Sequence, residues 1–375
     1  MYELEKNNDN TMTLNMGPHH PSTHGVLRFI LEMDGEIILS VKPDVGYLHR
    51  SIEKIGERVT YPAFMPYTDR VDYVAAANCN VGYALAVEKL MGIETPERAQ
   101  YLRVIVSELN RIISHLLMTG VLAMDLGAYT PFLHAVRERE KINDIFEILC
   151  GARLTYNLAT IGGMPFDIKE TTIRKCLEIL EGLKKFLKEF DDLVTNNAIF
   201  ISRLANIGVI DKETAKAFML SGPNLRAAGA HWDLRKNETY FLYDRFKFDI
   251  AVGSGKAGTL GDSYDRFSVR MKEIETSISI LEQAFKSLPS GEVQAKLPKT
   301  LKPPKGEVYV RTESARGELG YYIISDGTAK ASRIKIRTGS FAAISILDKI
   351  GRGLMLSDLV AFMASLDLIA PEIDR

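Results

Sequence analysis

Three of the chain's seven histidines, His19, His20 and His24, fall inside the nine-residue segment GPHHPSTHG, Gly17–Gly25. His20 and His24 have the i, i+4 spacing that lets two imidazoles share a metal on one helix face. Pro18 and Pro21 oppose a helix there, and no HExxH glutamate accompanies the pair. A loop punctuated by proline and glycine, carrying groups that titrate near neutrality, is better suited to handling protons. A second candidate, Gly253–Gly258 (GSGKAG), matches GxGxxG after an apolar run. A dinucleotide site would start its helix next, where TLGDS (Thr259–Ser263) places another glycine instead, so we reject that reading. Lys256 fails as a phosphate-loop lysine because Ile250 occupies the position of the first glycine. No Ser-His-Asp arrangement can be argued from spacing. Cys79, Cys150 and Cys176 are far apart and form no CxxC, which excludes a self-contained iron–sulfur or zinc site and fits a reducing compartment.

The elements that must position such residues belong to an ordinary well-cored chain: 375 residues, 46% hydrophobic and 25% charged. A net charge of −1 favours neither nucleic acid nor an anionic membrane surface. We expect no membrane span, since no apolar run reaches the roughly 18 residues required. The N-terminal MYELEKNNDNTMTL has neither the basic nor the apolar region of a secretory signal. The expectation is a cytoplasmic protein that meets any membrane through partners.

Val26–Met33 and Glu36–Val41 read as a β-hairpin around Asp34-Gly35, a dipeptide that tolerates positive φ. The Pro/Tyr/Arg-rich stretch Lys42–Asp72 reads as irregular. Helices then dominate to about residue 290. Val74–Met91 stops at Gly92, and Thr95-Pro96-Glu97 starts a helix with a broad apolar face from Leu102 to Leu117. Thr130-Pro131 starts another that ends at Gly151. Two long charged helices, near Lys169–Val194 and Asp265–Leu288, should turn their Lys/Glu faces to solvent or a partner. Pro289–Pro304 reads as an extended linker, followed by short strands at Gly306–Val310, Tyr321–Ser325 and Ala331–Arg337 and a helix near Leu356–Ser365. The fold class is α+β and mainly helical. Its expected division is an N-terminal β-rich region (1–72), a helical bundle core (73–290) and a small C-terminal α/β region (291–375).

The segments MGPHHPSTHGVLR (Met16–Arg28), GYLHRSIEKIGE (Gly46–Glu57), SELNRIISHL (Ser107–Leu116), DLGAYTPF (Asp125–Phe132), REREKI (Arg137–Ile142), YDRF (Tyr264–Phe267) and PKGEVYVRTESARGELGYY (Pro304–Tyr322) resemble the D-type, quinone-site subunit of respiratory complex I. They run in order over nearly the whole chain. That family is similar in fold to the large subunit of nickel–iron hydrogenases, whose metal is held by two pairs of cysteines. Here Thr68–Val81 has only Cys79 and the C-terminal SLDLIAPEIDR has none, so four thiolates cannot be assembled and no metal site is expected.

What the resemblance implies is a quinone-reduction pocket in a proton-pumping NADH:quinone oxidoreductase. Its quinone would be ubiquinone or menaquinone, and an iron–sulfur cluster would sit on an adjacent B-type subunit. Further implied partners are subunits of types C, I and H, with membrane contact through a membrane arm on the cytoplasmic side and no nucleic acid. A homologous complex fed by ferredoxin or a deazaflavin is the alternative. His24 and Tyr73 match the residues held to bond the two quinone carbonyls, and Asp125 the carboxylate that pairs with the histidine. A phenol and an imidazolium can donate protons, and a carboxylate keeps the imidazole charged. Arg50, flanked by His49, matches an arginine near the terminal cluster. Asp367, Ile373 and Arg375 match residues near the cavity, although the usual Asp-Pro is Asp367-Leu368 here. Most members carry a histidine beside that cluster where this chain has Thr155, which cannot titrate near neutrality. The resemblance therefore implies a cluster potential lower than in His-bearing relatives and nearly independent of pH.

Overall fold

The computed structural model describes residues 3–6, 11–23 and 25–375. The chain opens with an antiparallel sheet in the order β1 (Glu3–Lys6), β2 (Met12–Met16), β3 (Arg28–Asp34) and β4 (Ile37–Asp44). The expected hairpin is its β3–β4 half, turning at Gly35 with φ 58°. Alternation decides which face is buried: Leu14 and Met16, then Phe29, Leu31 and Met33, point inward.

Lys42–Asp72 is not irregular. It contains α1 (Ile52–Gly56) and α2 (Tyr61–Thr68), and Pro62 falls in the first turn of α2, where a missing N–H breaks no helical bond. Next come α3 (Ala76–Met91), α4 (Glu97–Asp125), α5 (Tyr129–Cys150) and α6 (Glu170–Phe190). Gly92 and Gly151 stop α3 and α5 in the left-handed conformation, at φ 65° and 78°.

Four short helices follow that sequence periodicity is too brief to reveal: α7 (Ala198–Leu204), α8 (Lys212–Ala217), α9 (Gly222–Ala227) and α10 (Leu234–Asn237). Three of them carry side-chain caps from Asn197, Asp211 and Asp233. After α11 (Ser263–Lys286), the strands β5 (Gly306–Ser314), β6 (Gly317–Ser325) and β7 (Ala331–Arg337) form a second antiparallel sheet in that order. The chain closes with α12 (Gly339–Ile344), α13 (Leu347–Gly351), α14 (Leu356–Leu366) and α15 (Ala370–Asp374).

Two apolar clusters hold this together. The larger joins α3, α4, α5, α6 and α11 to the inner face of the second sheet. The smaller joins the first sheet to α13, α14 and α15, so residues from both ends of the chain share one core. By length and composition α4 could cross a membrane, yet 89% of its most apolar window is buried inside the protein. It is a core helix. The charged residues of α11 divide: Lys272 and Glu275 face outward as expected, whereas Arg266, Arg270 and Glu273 are buried.

Candidate functional site

Tyr73 lies on the short connection between α2 and α3. Asp72, just before it, turns its carboxylate inward, where Oδ1 accepts from the backbone N–H of Val74 (3.0 Å) and Ala75 (3.1 Å). That turn fixes the start of α3 and leaves the Tyr73 ring at the surface, 38% exposed. Among the described residues nothing hydrogen-bonds its hydroxyl. Partial burial raises the phenol's pKa above its ordinary value, Arg316 opposes that rise, and Asp72 and Asp367 add to it. Tyr73 is thus a neutral donor at any physiological pH.

Arg316 reaches Asp72 from the turn of the β5–β6 hairpin, which pairs Ser314 with Gly317. The hairpin can tuck in because two glycines meet there. A Cβ on Gly222 would lie 2.2 Å from the Gly317 Cα, and both residues have positive φ. Arg111 holds the same tip through the carbonyls of Ser314 (3.0 Å) and Glu313 (2.7 Å). Arg316 then donates to Asp72 Oδ2 at 2.6 Å and to Asp367 Oδ1 at 3.1 Å. Asp367 follows α14 in the left-handed conformation, and its Oδ2 lies 3.7 Å from Arg270 Nε. Arg270 also bonds the carbonyls of Ser365 and Leu366, the last of α14. Glu372, on α15, is buried beside this cluster and accepts from both the N–H (3.0 Å) and the hydroxyl (2.5 Å) of Ser340. Burial, helped by the Asp72 carboxylate, pushes Glu372 up to about 7.

A second group of residues gathers around Asp374. Its carboxylate accepts from the N–H of Gly46 (2.8 Å) and Leu48 (2.7 Å), and its carbonyl from His49 Nδ1 (2.6 Å). Arg50 donates to the carbonyl of Arg70 at 2.7 Å. Neighbouring Asp69 is buried, and burial pushes its carboxyl up to about 6. Asp69 Oδ2 accepts from the Asn157 N–H at 3.0 Å, which anchors the loop holding Thr155, itself at φ 51°.

Behind both groups lies a fully buried ionic network. Burial alone would raise the Glu108 carboxyl, but Arg111, Arg235, Ser277 and Tyr243 hold it below its ordinary value. Arg226 bridges Glu273 (2.6 Å) and Glu313 (2.8 Å), and Glu273 faces His115 Nε2 at 2.9 Å. The glycine run Gly253–Gly258 is a structural loop. The amides of Ser254 and Gly255, with that of Gly261, are taken by the Asp265 carboxylate, and Gly253 packs against the carbonyl of Ala227.

The structure therefore brings Tyr73 and Asp367 to one cluster, and His49, Arg50 and the Thr155 loop to another. His24 lies outside the described residues; its neighbour Gly25 packs close to Ala370. Asp125 is the half-buried last residue of α4. Ile373 is buried in the core shared with the first sheet. Arg375 stacks 4.2 Å over Phe341 and bonds the Ile336 carbonyl. Sequence reasoning misses Asp69, Asp72, Arg316 and Glu372. The one available signal is a charged Arg316 between Ala and Gly at the turn of an apolar hairpin.

Comparison with known proteins bears on this arrangement. A family model described as "Respiratory-chain NADH dehydrogenase, 49 Kd subunit" matches residues 125–304 and 296–375. A D-type subunit of NADH-quinone oxidoreductase from Anaeromyxobacter sp. (strain K) is 58% identical over 364 residues, covering 97% of this chain and 96% of that protein. Its counterpart from Sorangium cellulosum (strain So ce56) is 56% identical over 98% of this chain and 95% of its own length. The counterpart from Bacillus cereus (strain ATCC 10987 / NRS 248) is 48% identical over 97% and 98%. With a matching family model and relatives aligned end to end, this chain belongs to the 49 kDa, D-type family of respiratory-chain NADH dehydrogenase subunits.

Proposed function

We propose that this chain forms the quinone-reduction pocket of a multi-subunit, proton-pumping NADH:quinone oxidoreductase. Tyr73 carries the reading: a neutral, half-exposed phenol whose hydroxyl has no partner among the described residues, backed by a buried guanidinium. Its O–H donates to one quinone carbonyl, and the positive charge of Arg316 stabilises the phenolate left when the proton passes on. His24 takes the second carbonyl, with Asp125 keeping its imidazole protonated.

Electrons reach the quinone, ubiquinone or menaquinone, from NADH through clusters on other chains, the last of them on a B-type subunit. That subunit meets the surface bearing His49, Arg50 and Thr155. Subunits of types C, I and H complete the surroundings, and the assembly sits on the cytoplasmic side of the membrane. The pocket is the counterpart of the metal cavity in a hydrogenase-like large subunit, converted to quinone chemistry by loss of the thiolates. Asp367, Ile373 and Arg375 shape its inner wall.

The test is photolabelling of the purified complex with a quinone carrying a photoreactive headgroup. Labelled peptides spanning 68–75 of this chain support the reading. Labelling that leaves this chain untouched overturns it.

A further inference from the structure

Five ionisable side chains meet behind Tyr73, and their charges do not balance. Asp72, Asp367 and Glu372 supply three carboxyls, and Arg316 and Arg270 two guanidiniums; none is more than 8% exposed. A buried carboxylate without a counter-charge is more stable neutral, so one of the three holds a proton when the cluster is at rest. Geometry selects which. Asp72 accepts from two backbone N–H groups and from Arg316 at 2.6 Å; Asp367 accepts from Arg316 at 3.1 Å and faces Arg270 at 3.7 Å. Glu372 feels the Arg316 charge but, among the described residues, accepts no hydrogen bond from either guanidinium. Both Ser340 donors go to its Oε2, which leaves Oε1 to carry the proton.

Resting on the quinone-pocket reading, we propose that Glu372 and the Asp72–Arg316–Asp367–Arg270 cluster are the proton store that recharges Tyr73 in each turnover. The reaction delivers two electrons and two protons to the quinone. One proton leaves the Tyr73 O–H for a quinone oxygen, and the O–H bond pair stays behind on the phenolate. The Glu372 O–H then breaks, its proton passes through the cluster to that phenolate, and the carboxylate is refilled from solvent. The net result is one solvent proton on the quinol.

Three buried polar atoms of the cluster have no hydrogen-bond partner among the described residues: Arg316 Nε, and Arg270 Nε and Asp367 Oδ2, which face each other at 3.7 Å. Polar atoms of this kind are satisfied by ordered water, which is also what carries protons between fixed groups. Asp72 and Arg316 face Glu372 from the α2–α3 connection and the β5–β6 turn. Cys79 on α3 and Tyr321 on β6 also lie near it, and burial holds both neutral. From its own segment come Asp367 and Asp374, the latter committed to the 46–49 loop. A group titrating near 7 in this setting is full below neutrality and empty above it.

The experiment uses the purified native complex and follows quinone reduction from about pH 6 to about pH 9. Wild-type kcat should fall through an inflection near 7. Glu372→Gln should lower kcat about tenfold at the acid end with KM unchanged, and should meet the wild-type curve above about pH 8, where the store is empty in both. Ser340→Ala keeps the carboxyl but removes a donor to its charged form, so the inflection should move to higher pH. A Glu372→Gln profile parallel to wild type, or a loss uniform across pH, overturns the proposal. Should that variant fail to assemble, an unshifted inflection in Ser340→Ala overturns it instead. Tyr73→Phe separates the two readings. If it abolishes turnover while the Glu372 and Ser340 variants leave the profile unchanged, only the proton store falls; if it too is silent, the pocket falls.

Discussion

Arg316 and Asp72, 244 positions apart in the chain, meet through a 2.6 Å ion-paired hydrogen bond in the protein interior. The contact ties the turn of the β5–β6 hairpin to the residue before Tyr73, so the second sheet sets where that tyrosine stands. Removing one partner of a buried pair strands the other. Arg316→Gln should therefore lower the stability of the protein by about 3–5 kcal/mol, read as a drop in the thermal midpoint of the complex or as lost assembly. Arg316→Lys keeps the charge but cannot serve two carboxylates in one plane, and should fall between wild type and Arg316→Gln.

Glu108 makes a comparable commitment deeper in the core. It accepts from Tyr243 and Ser277, each at 2.6 Å, and faces Arg111 and Arg235. Glu108→Ala would leave two guanidiniums buried beside a cavity. We expect about 3–5 kcal/mol of destabilisation and little of the protein in membranes, measured by immunoblot and by denaturation of the residual complex. Normal accumulation with an unchanged midpoint would contradict this.

The helical core is legible in the sequence because long apolar faces and glycine stops are local signals, as at α3 with Gly92 or α5 with Gly151. Tyr73, by contrast, is singled out only through resemblance. Nothing in a string of residues announces that Asp72, Arg316, Asp367 and Glu372 converge, because their meeting depends on two glycines, Gly222 and Gly317, packed backbone to backbone. Lys42–Asp72 misleads because α1 and α2 are too short to show a helical period, and Pro62 falls in the first turn of α2 while Pro66 is carried inside it. The buried half of α11 misleads for another reason: charges look solvated in sequence, and only the partners of Arg266, Arg270 and Glu273 reveal that they are not.

Thr155 cannot titrate, but Asp69 beneath the same loop can. Burial raises its carboxyl to about 6. A carboxyl of raised pKa is protonated below that value and charged above it, so with the partner's terminal cluster against this loop, as proposed, its reduction should draw a proton onto Asp69 from about pH 6 upward. Redox titration by electron paramagnetic resonance should show a shallow pH slope for the terminal cluster that disappears in Asp69→Asn. In Thr155→His the slope should steepen between about pH 6 and 8, with a higher potential at the acid end. A wild-type slope that survives Asp69→Asn would assign the effect to another group.

The central claim is that Tyr73 donates to the quinone, and Tyr73→Phe tests it most directly because only the hydroxyl is lost. The purified variant complex should reduce its clusters with NADH as wild type does, while quinone reductase activity falls about a hundredfold or more, within the range expected for a lost general acid. Wild-type turnover with short-chain quinones in that variant would contradict the account.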